Sequence, residues 1–430
     1  MLDLNFLKEN RDLVEKNLKE RGVKVDLAKF FSLLDERNQL IQEIDNLKAK
    51  RNEISKKFPQ ANDSEKAALS EEVNQVKDAL KEMEPRLEEA QAEFKRIWLE
   101  IPNMSSEDTP VGATDADNVE IYRSVSEVKF AFQPKDHTEL LNDNYLDFER
   151  GVKVSGAKFY FLKNEIALLE QALTQFTIDK VVNKFGFQFL STPDLALNEV
   201  LLGTGYNPRG AEKQIYNIEG EETSLIGTAE ITLGGYHRDE TLNIEELPLK
   251  YLGLSHCFRT EAGAYGRTSK GLYRVHQFSK LEMFLFSSPE KSGEMLELLK
   301  DIEMEIFRDL EIPFRVIKIC SGDMGGPAYK KYDLEAWMVM KGDENHPSGD
   351  WGEVTSCSNC TDYQARRLNI KYADGSKKEF VHTLNGTAIS LARAILVFVE
   401  NHQDADGNIK IPKALQPYLF NREKIILNQK

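Results

Sequence analysis

The sequence predicts an α+β fold: a long antiparallel two-helix coiled coil, then a body of mixed strands and helices. Three observations carry this. A 3-4 apolar repeat runs through Leu33, Arg37, Leu40, Ile44, Leu47, Arg51, Ile54 and Phe58. A second runs through Leu69, Val73, Val76, Leu80, Met83, Leu87, Ala90, Phe94, Ile97 and Ile101. From about Val119 onward, aromatic and β-branched runs alternate with Gly-rich turns, which is the pattern of strands.

Each repeat has one apolar seam, and the link between them is short. Seam against seam, in antiparallel order, is the simplest way to bury both. Residues 1–29 read as a short helical lead-in. The link, Phe58 to Ser64, carries turn chemistry and a helix cap. Arg37 and Arg51 fall on the seam, where they snorkel or set register. Pro85 lies inside the second helix, removes one backbone bond and should kink it. Ile101-Pro102-Asn103 ends the hairpin, and a polar connector runs through Pro110-Val111-Gly112 to Asn118. The expected domains are therefore 1–112 and 113–430. In the body, Phe159 to Leu162 reads as a strand, and Asn164 to Lys184 as a helix with Gly186 as its cap. Phe187 to Leu190 reads as a strand, and about Ala388 to Val399 as a helix.

Composition narrows the function. The formal charge is -15 and the pI about 5.2. A surface coated in basic charge is excluded, though local basic patches are not. No apolar run reaches the ~20 residues of a membrane span. The N-terminus has neither a basic nor an apolar targeting segment. Four cysteines are too few for a disulfide framework in a chain of 430 residues. A reduced, cytoplasmic setting is expected. Cys357 and Cys360 lack a nearby second pair for a zinc ribbon and read as packed thiols.

The chemistry concentrates in Cys257-Phe258-Arg259-Thr260-Glu261-Ala262-Gly263 and Arg274-Val275-His276-Gln277-Phe278. The pattern is strand, Gly-rich loop, strand. Two arginines, two carboxylates (Glu261, Glu282) and a flat aromatic share one hairpin. Planar, permanently charged guanidinium groups suit phosphate oxygens, and a phenylalanine can stack on a purine. This is a nucleotide site without a Walker loop.

A helix-strand-proline unit, this FRxE hairpin and a late Gly-Arg helix follow one another. In that order they resemble the class II aminoacyl-tRNA synthetases, and the long N-terminal hairpin resembles seryl-tRNA synthetases in particular. Ile101-Pro102-Asn103, Thr228-Ala229-Glu230, Thr355 to Arg367 and His382 to Gly386 extend the resemblance over nearly the whole chain. It implies a mainly antiparallel sheet flanked by helices. It implies ATP-dependent activation of L-serine and its transfer to tRNA(Ser), service to tRNA(Sec) in a host that has one, and a homodimer built around 164–193.

The same resemblance assigns residues. Arg259 would meet the α-phosphate and the serine carboxylate, with Arg393 as the second catalytic arginine, on the γ-phosphate side or the opposite face of the base. Thr260, Glu261, Arg274, Val275 and Phe278 would hold ATP, together with Glu353, Val354, Thr355 and Ser356. Glu353 and Ser356 would also hold Mg2+, a hard cation that takes oxygen ligands. Thr228, Ala229, Glu230, Glu282, Asn385 and Thr387 would form the serine pocket. Lys48, Lys50, Arg51, Lys56 and Lys57 near the hairpin tip would contact tRNA. His276 and His382 read as structural, because the attacking carboxylate is already ionised and no base is needed.

Some positions depart from the family pattern. Gly227 stands where proline is usual, which bears on the rigidity of the pocket wall. Lys158 replaces an arginine, and Thr387-Ala388 replaces the commoner Ser-Gly. The loop Gly266 to Gly271 lacks the usual Asp-Thr-Arg, and Lys341 to Gly352 is a short polar insert. Three competing readings follow: a paralogue that does not charge tRNA, a coiled-coil scaffold, and a related enzyme for another small amino acid.

Overall fold

The computed structural model describes residues 1–206, 214–262, 270–344 and 346–427. The chain divides into two compact units, Asp3–Pro102 and Asn103–Lys430.

In the first unit, helices Leu4–Glu9 and Arg11–Glu20 precede the long helices α1 (Leu27–Lys57) and α2 (Asp63–Glu100). The seams meet as the repeat requires. Leu40, Ile44 and Ile54 of α1 are buried, as are Val76, Leu80, Phe94 and Ile97 of α2. Phe30 stacks on Phe94 with ring centroids 5.0 Å apart. Arg37 snorkels, its guanidinium 5.8 Å from the Phe94 ring centre. Asn62 caps α2, and the Glu65 side chain reaches back to close a capping box. The helix continues through Pro85, which sits on the exposed face.

The second unit is built on an eight-stranded sheet. Its members are β1 (Val119–Arg123), β2 (Gln188–Ser191), β3 (Leu249–Phe258), β4 (Gln277–Ser287), β5 (Phe314–Lys318), β6 (Lys330–Met338), β7 (Asp350–Asn359) and β8 (His382–Ser390). Their order is β1-β5-β6-β7-β8-β4-β3-β2. Every pair is antiparallel except β2–β3. Helices α3 (Asn164–Asp179), α4 (Ala229–Gly234), α5 (Ser292–Asp309), α6 (Tyr363–Leu368) and α7 (Leu391–His402) flank it. The connector from Asn103 hydrogen-bonds within this unit, where the Asn103 amide reaches the Pro327 and Cys360 carbonyls, each at 2.9 Å.

Period-2 alternation divides the sheet into two faces. On β4, Leu281, Met283 and Leu285 enter the main core with Leu299, Ile302 and Phe307 of α5 and Leu396 and Phe398 of α7. Phe284 and Phe286 enter a second core with Ala229 and Leu233 of α4. The helix expected from Ala388 starts instead at Leu391, because β8 still pairs with β4 through Ser390. Helix 164–184 ends in a π-helical turn, Lys180–Lys184. All four cysteines are free and buried.

Candidate active site

The sheet face opposite the main core carries a cleft of about 410 Å3. Several strands and two of the flanking helices supply it. Alternation along β4 puts Phe278, Lys280 and Glu282 on its wall, while a residue in between, Leu281, goes to the core. On β8, Asn385 and Thr387 face the same way, and Thr387 pairs directly across from Glu282. Helix α7 delivers Arg393, and the end of β3 delivers Arg259.

The two arginines expected to cooperate therefore share one cleft. Arg259 Nε donates to the Gly227 carbonyl at 3.2 Å, and its guanidinium lies 5.3 Å from the Phe278 ring centre. Its own backbone is locked to His276: the Arg259 N–H donates to the His276 carbonyl at 3.0 Å, and His276 Nδ1 lies 2.8 Å from the Arg259 carbonyl. Arg393 Nη1 donates to the Glu353 carbonyl at 2.9 Å and lies 3.4 Å from its carboxylate. Arg274 Nη1 reaches Glu261 at 3.0 Å. Glu261 has φ +49°, the left-handed region that non-glycine residues rarely occupy. A Cβ at Gly227 would make only ordinary contact, 3.7 Å from the Arg259 side chain. The steric room for a larger residue exists there.

A bulge in β7 sets the turn that carries Glu353 and Ser356. Leu334 faces Thr355 while Glu335 faces Glu353, so Val354 is the extra residue. This breaks the alternation. Glu353 and Ser356 both line the cleft, while the Thr355 hydroxyl points away and donates to Glu303 of α5 at 2.8 Å. Burial raises the Glu353 carboxyl, but Arg393, Lys331 and Arg259 outweigh it and hold it at about 2. An ionised carboxylate and a hydroxyl on one face are hard oxygen donors that fit Mg2+.

Two further buried carboxylates, Glu230 and Glu282, line the cleft. Gly253 of β3 lets α4 lie directly on the sheet, since a Cβ there would fall 2.8 Å from Leu233 and 3.2 Å from Ala229. Glu230, on that helix, is thereby brought to the same cleft as Glu282. Glu230 accepts from Tyr206 at 2.9 Å, Gln364 at 2.8 Å and Asn385 at 3.0 Å. Burial and the neighbouring Glu282 push its carboxyl up to about 7, against the pull of Gln364 and Lys280. Glu282 is paired with Lys280 and accepts from Thr387 at 3.2 Å.

Arg259, Glu261, Arg274, Val275, Phe278, Glu282, Glu353, Val354, Thr355, Ser356, Asn385, Thr387, Arg393 and Glu230 all line the cleft. Thr228, Ala229 and Thr260 stand behind it. Thr228 caps α4 and accepts the Glu230 amide at 3.2 Å, Ala229 is fully buried, and the Thr260 amide donates to the Gln214 carbonyl at 3.1 Å. Gly263 and the departing residues Gly266–Ser269 lie outside the described residues, as does Asn345 of the polar insert. The sequence reading missed Tyr206, Tyr273, Lys280 and Lys331, which also line the cleft, and Gln364, which bonds Glu230. Lys280 was accessible from period 2 alone, midway between Phe278 and Glu282. His382 bonds Ser292 at 2.8 Å, and burial lowers its pKa.

Residues 1–105 match the seryl-tRNA synthetase N-terminal domain, and residues 214–402 match the class II tRNA synthetase core domain for G, H, P, S and T. The chain is 52% identical over 421 residues to the serine–tRNA ligase of Treponema denticola, covering 97% of this chain and 98% of the relative. Among solved structures, it superposes on seryl-tRNA synthetase from Pyrococcus horikoshii complexed with ATP with a TM-score of 0.86. Identity there is 37%, over 99% of each chain. The cytoplasmic serine–tRNA ligase of Naegleria fowleri in complex with AMP gives a TM-score of 0.83 at 31% identity, over 100% of this chain and 99% of that one. By sequence over nearly its full length, and by fold, the chain belongs to the seryl-tRNA synthetase family of class II aminoacyl-tRNA synthetases.

Proposed function

We propose that this protein activates L-serine with ATP and transfers the seryl group to the 3′ end of tRNA(Ser), and of tRNA(Sec) in a host that has one. The observation that carries the reading is the pairing of opposites within one cleft. Arg259 and Arg393, suited to phosphates, line the same cleft as Glu230 and Glu282, suited to an ammonium and a hydroxyl.

The serine carboxylate attacks the α-phosphorus of ATP. A carboxylate oxygen–phosphorus bond forms, the bond to the bridging oxygen breaks, and pyrophosphate leaves. The nucleophile is already charged, so the protein must align two anions and offset the charge that builds on phosphorus. Arg259 is the group placed for this, with Phe278 beneath it as the platform for adenine, Glu261 and Val275 at the base edge, and Arg274 close by. Arg393 serves the far phosphates. Glu353 and Ser356 would hold Mg2+, which screens phosphate charge when bound.

Serine is small, so its polar groups must be read individually. Glu282 is the partner for the α-ammonium and Glu230 for the hydroxyl, with Asn385 and Thr387 closing the pocket. Thr228 and Ala229 act from behind, by holding α4. Alanine would leave the buried Glu230 network one partner short, which is how such a pocket rejects it. In the second step a ribose hydroxyl of tRNA attacks the seryl carbonyl. The ester bond forms, the bond from the carbonyl carbon to the phosphate oxygen breaks, and AMP leaves while the hydroxyl proton passes to its phosphate or to water.

The tRNA-binding part is assigned to the first unit and the chemistry to the second. The first unit ends at Pro102 and not at the expected 112, because the connector from Asn103 bonds within the second unit. A homodimer in the cytoplasm completes the proposal. Amino-acid-dependent pyrophosphate exchange is the test. Serine should drive exchange, while threonine, proline and alanine should not. Charging of tRNA(Ser) then separates this enzyme from an adenylating paralogue, and a scaffold would show neither activity.

A further inference from the structure

His137 and Glu400 are both fully buried, and neither activation nor transfer uses them. His137 Nδ1 lies 2.7 Å from Glu400 Oε1, which also accepts the His137 backbone N–H at 2.9 Å. Glu400 Oε2 accepts the Met340 amide at 3.2 Å. The other ring nitrogen, Nε2, accepts the Leu272 amide at 3.1 Å. That bond fixes the tautomer: the ring proton sits on Nδ1, toward Glu400. Asp136 is paired with Lys270.

The ligand atoms of Asp136, His137 and Glu400 lie within 4.8 Å of one another, a spacing that suits a metal ion. The hydrogen bonds argue otherwise. One ring nitrogen carries the proton, the lone pair of the other is taken by Leu272, and Asp136 already has a cation.

What the cluster holds is the segment that enters the cleft. Gly271 has φ +56°, and a Cβ there would fall 1.9 Å from His137 Nε2, so the backbone lies tight against that edge of the imidazole. The next residues, Leu272, Tyr273 and Arg274, line the cleft. The Tyr273 ring centre is 4.9 Å from the Arg393 guanidinium. We propose that His137, oriented by Glu400, is a positioning residue for the nucleotide end of the cleft: it clamps Gly271–Leu272, and through Tyr273 it sets Arg393.

The inference rests on the reading of that end as the ATP site, and the experiment separates the two. ATP and serine binding are measured by calorimetry, and serine-dependent pyrophosphate exchange by kinetics, for the unaltered protein and for His137→Ala, His137→Gln and Gly271→Ala. Glutamine can still accept from Leu272. His137→Ala and Gly271→Ala should each weaken ATP binding and raise its KM about tenfold, the usual scale for a misplaced contact. Serine binding should stay within about twofold of the unaltered protein. His137→Gln should recover most of the loss. A lower melting temperature with ATP affinity unchanged overturns the proposal, as does an equal loss of ATP and serine affinity. Should His137→Ala fail to fold, Gly271→Ala approaches the same contact from the other side and leaves the core filled. Absence of ATP binding in the unaltered protein overturns the ATP-site reading itself.

Discussion

Glu230 combines three hydrogen-bond donors, near-complete burial and a second carboxylate in the same cleft. The donors favour its charged form, but burial first and Glu282 second outweigh them and raise it from 4.5 to about 7. A carboxyl whose folded pKa lies above its unfolded one stabilises the fold fully below about pH 4.5. That contribution is lost as pH rises through 7. The gap corresponds to at most about 3 kcal/mol. Glu230→Gln cannot ionise, so its melting temperature should gain on the unaltered protein between pH 5 and pH 8. Parallel melting curves across that range would refute the assignment. Arg259 supports a sharper prediction. Its guanidinium faces both the cleft and the Phe278 ring, so Arg259→Ala should slow adenylate formation about 10²–10³-fold, and Arg259→Lys should rescue little, because an ammonium has neither the fork nor the plane. Single-turnover burst kinetics would measure it. Much of this site was legible because arginines and carboxylates came in long, unusual segments. Tyr206, Tyr273 and Lys331 were not, because each reaches the cleft from a separate element with no local pattern to mark it. Thr228, Ala229 and Thr260 were read from the same segments as their neighbours, but adjacency in sequence does not decide which side chain faces the cleft.

Strand β7 shows how an element, more than a residue, makes the site. Without the bulge at Val354, strict alternation would put Glu353 on the face of Thr355 and away from Ser356. A sequence of alternating residues cannot announce a bulge, so the geometry that turns Glu353 and Ser356 to one face was not legible in it. The residue that backs this strand is Glu303 of α5. It is buried, its pKa is raised well above the usual carboxylate range, chiefly by burial, and its Oε2 accepts from Thr355. Thr355→Val keeps the shape and removes that donor, leaving a buried acid unpaired. A loss of about 1–3 kcal/mol is expected, read as a lower melting temperature for the second unit. An unchanged melting temperature would show that the bond carries no weight. The hairpin was more legible than the sheet, because its 3-4 repeat is local. Strand order is set by pairs such as Thr387 and Glu282, which lie 105 residues apart.

At the scale of the whole molecule, the surface of the second unit bears on assembly. Phe161, Phe189, Leu195 and Leu197 are exposed, and β2 is an outer strand of the sheet. A second copy would cover such apolar surface. Sedimentation should find a dimer that the double change Leu195→Asp, Leu197→Asp weakens. Transfer RNA poses the opposite problem, since a chain of charge -15 must bind a polyanion through local patches. The five basic residues near the hairpin tip are unequal. Lys48 lies 3.0 Å from Glu84, Lys50 4.0 Å from Glu72, and Lys57 2.6 Å from Glu53. Among the described residues, Arg51 and Lys56 have no acidic partner within an ion-pair distance. A lysine already matched to a glutamate must give up that attraction to take a phosphate, whereas an unmatched one gains the whole counterion-release term. Lys56→Ala should therefore raise the KM for tRNA(Ser) more than Lys48→Ala does, and lower the salt dependence of binding by about one unit of slope. Serine-dependent pyrophosphate exchange, which needs no tRNA, should be unchanged in both. Equal effects of the two substitutions would mean that the glutamates do not hold their lysines in solution, and no effect of either would move the RNA contact elsewhere on the arm.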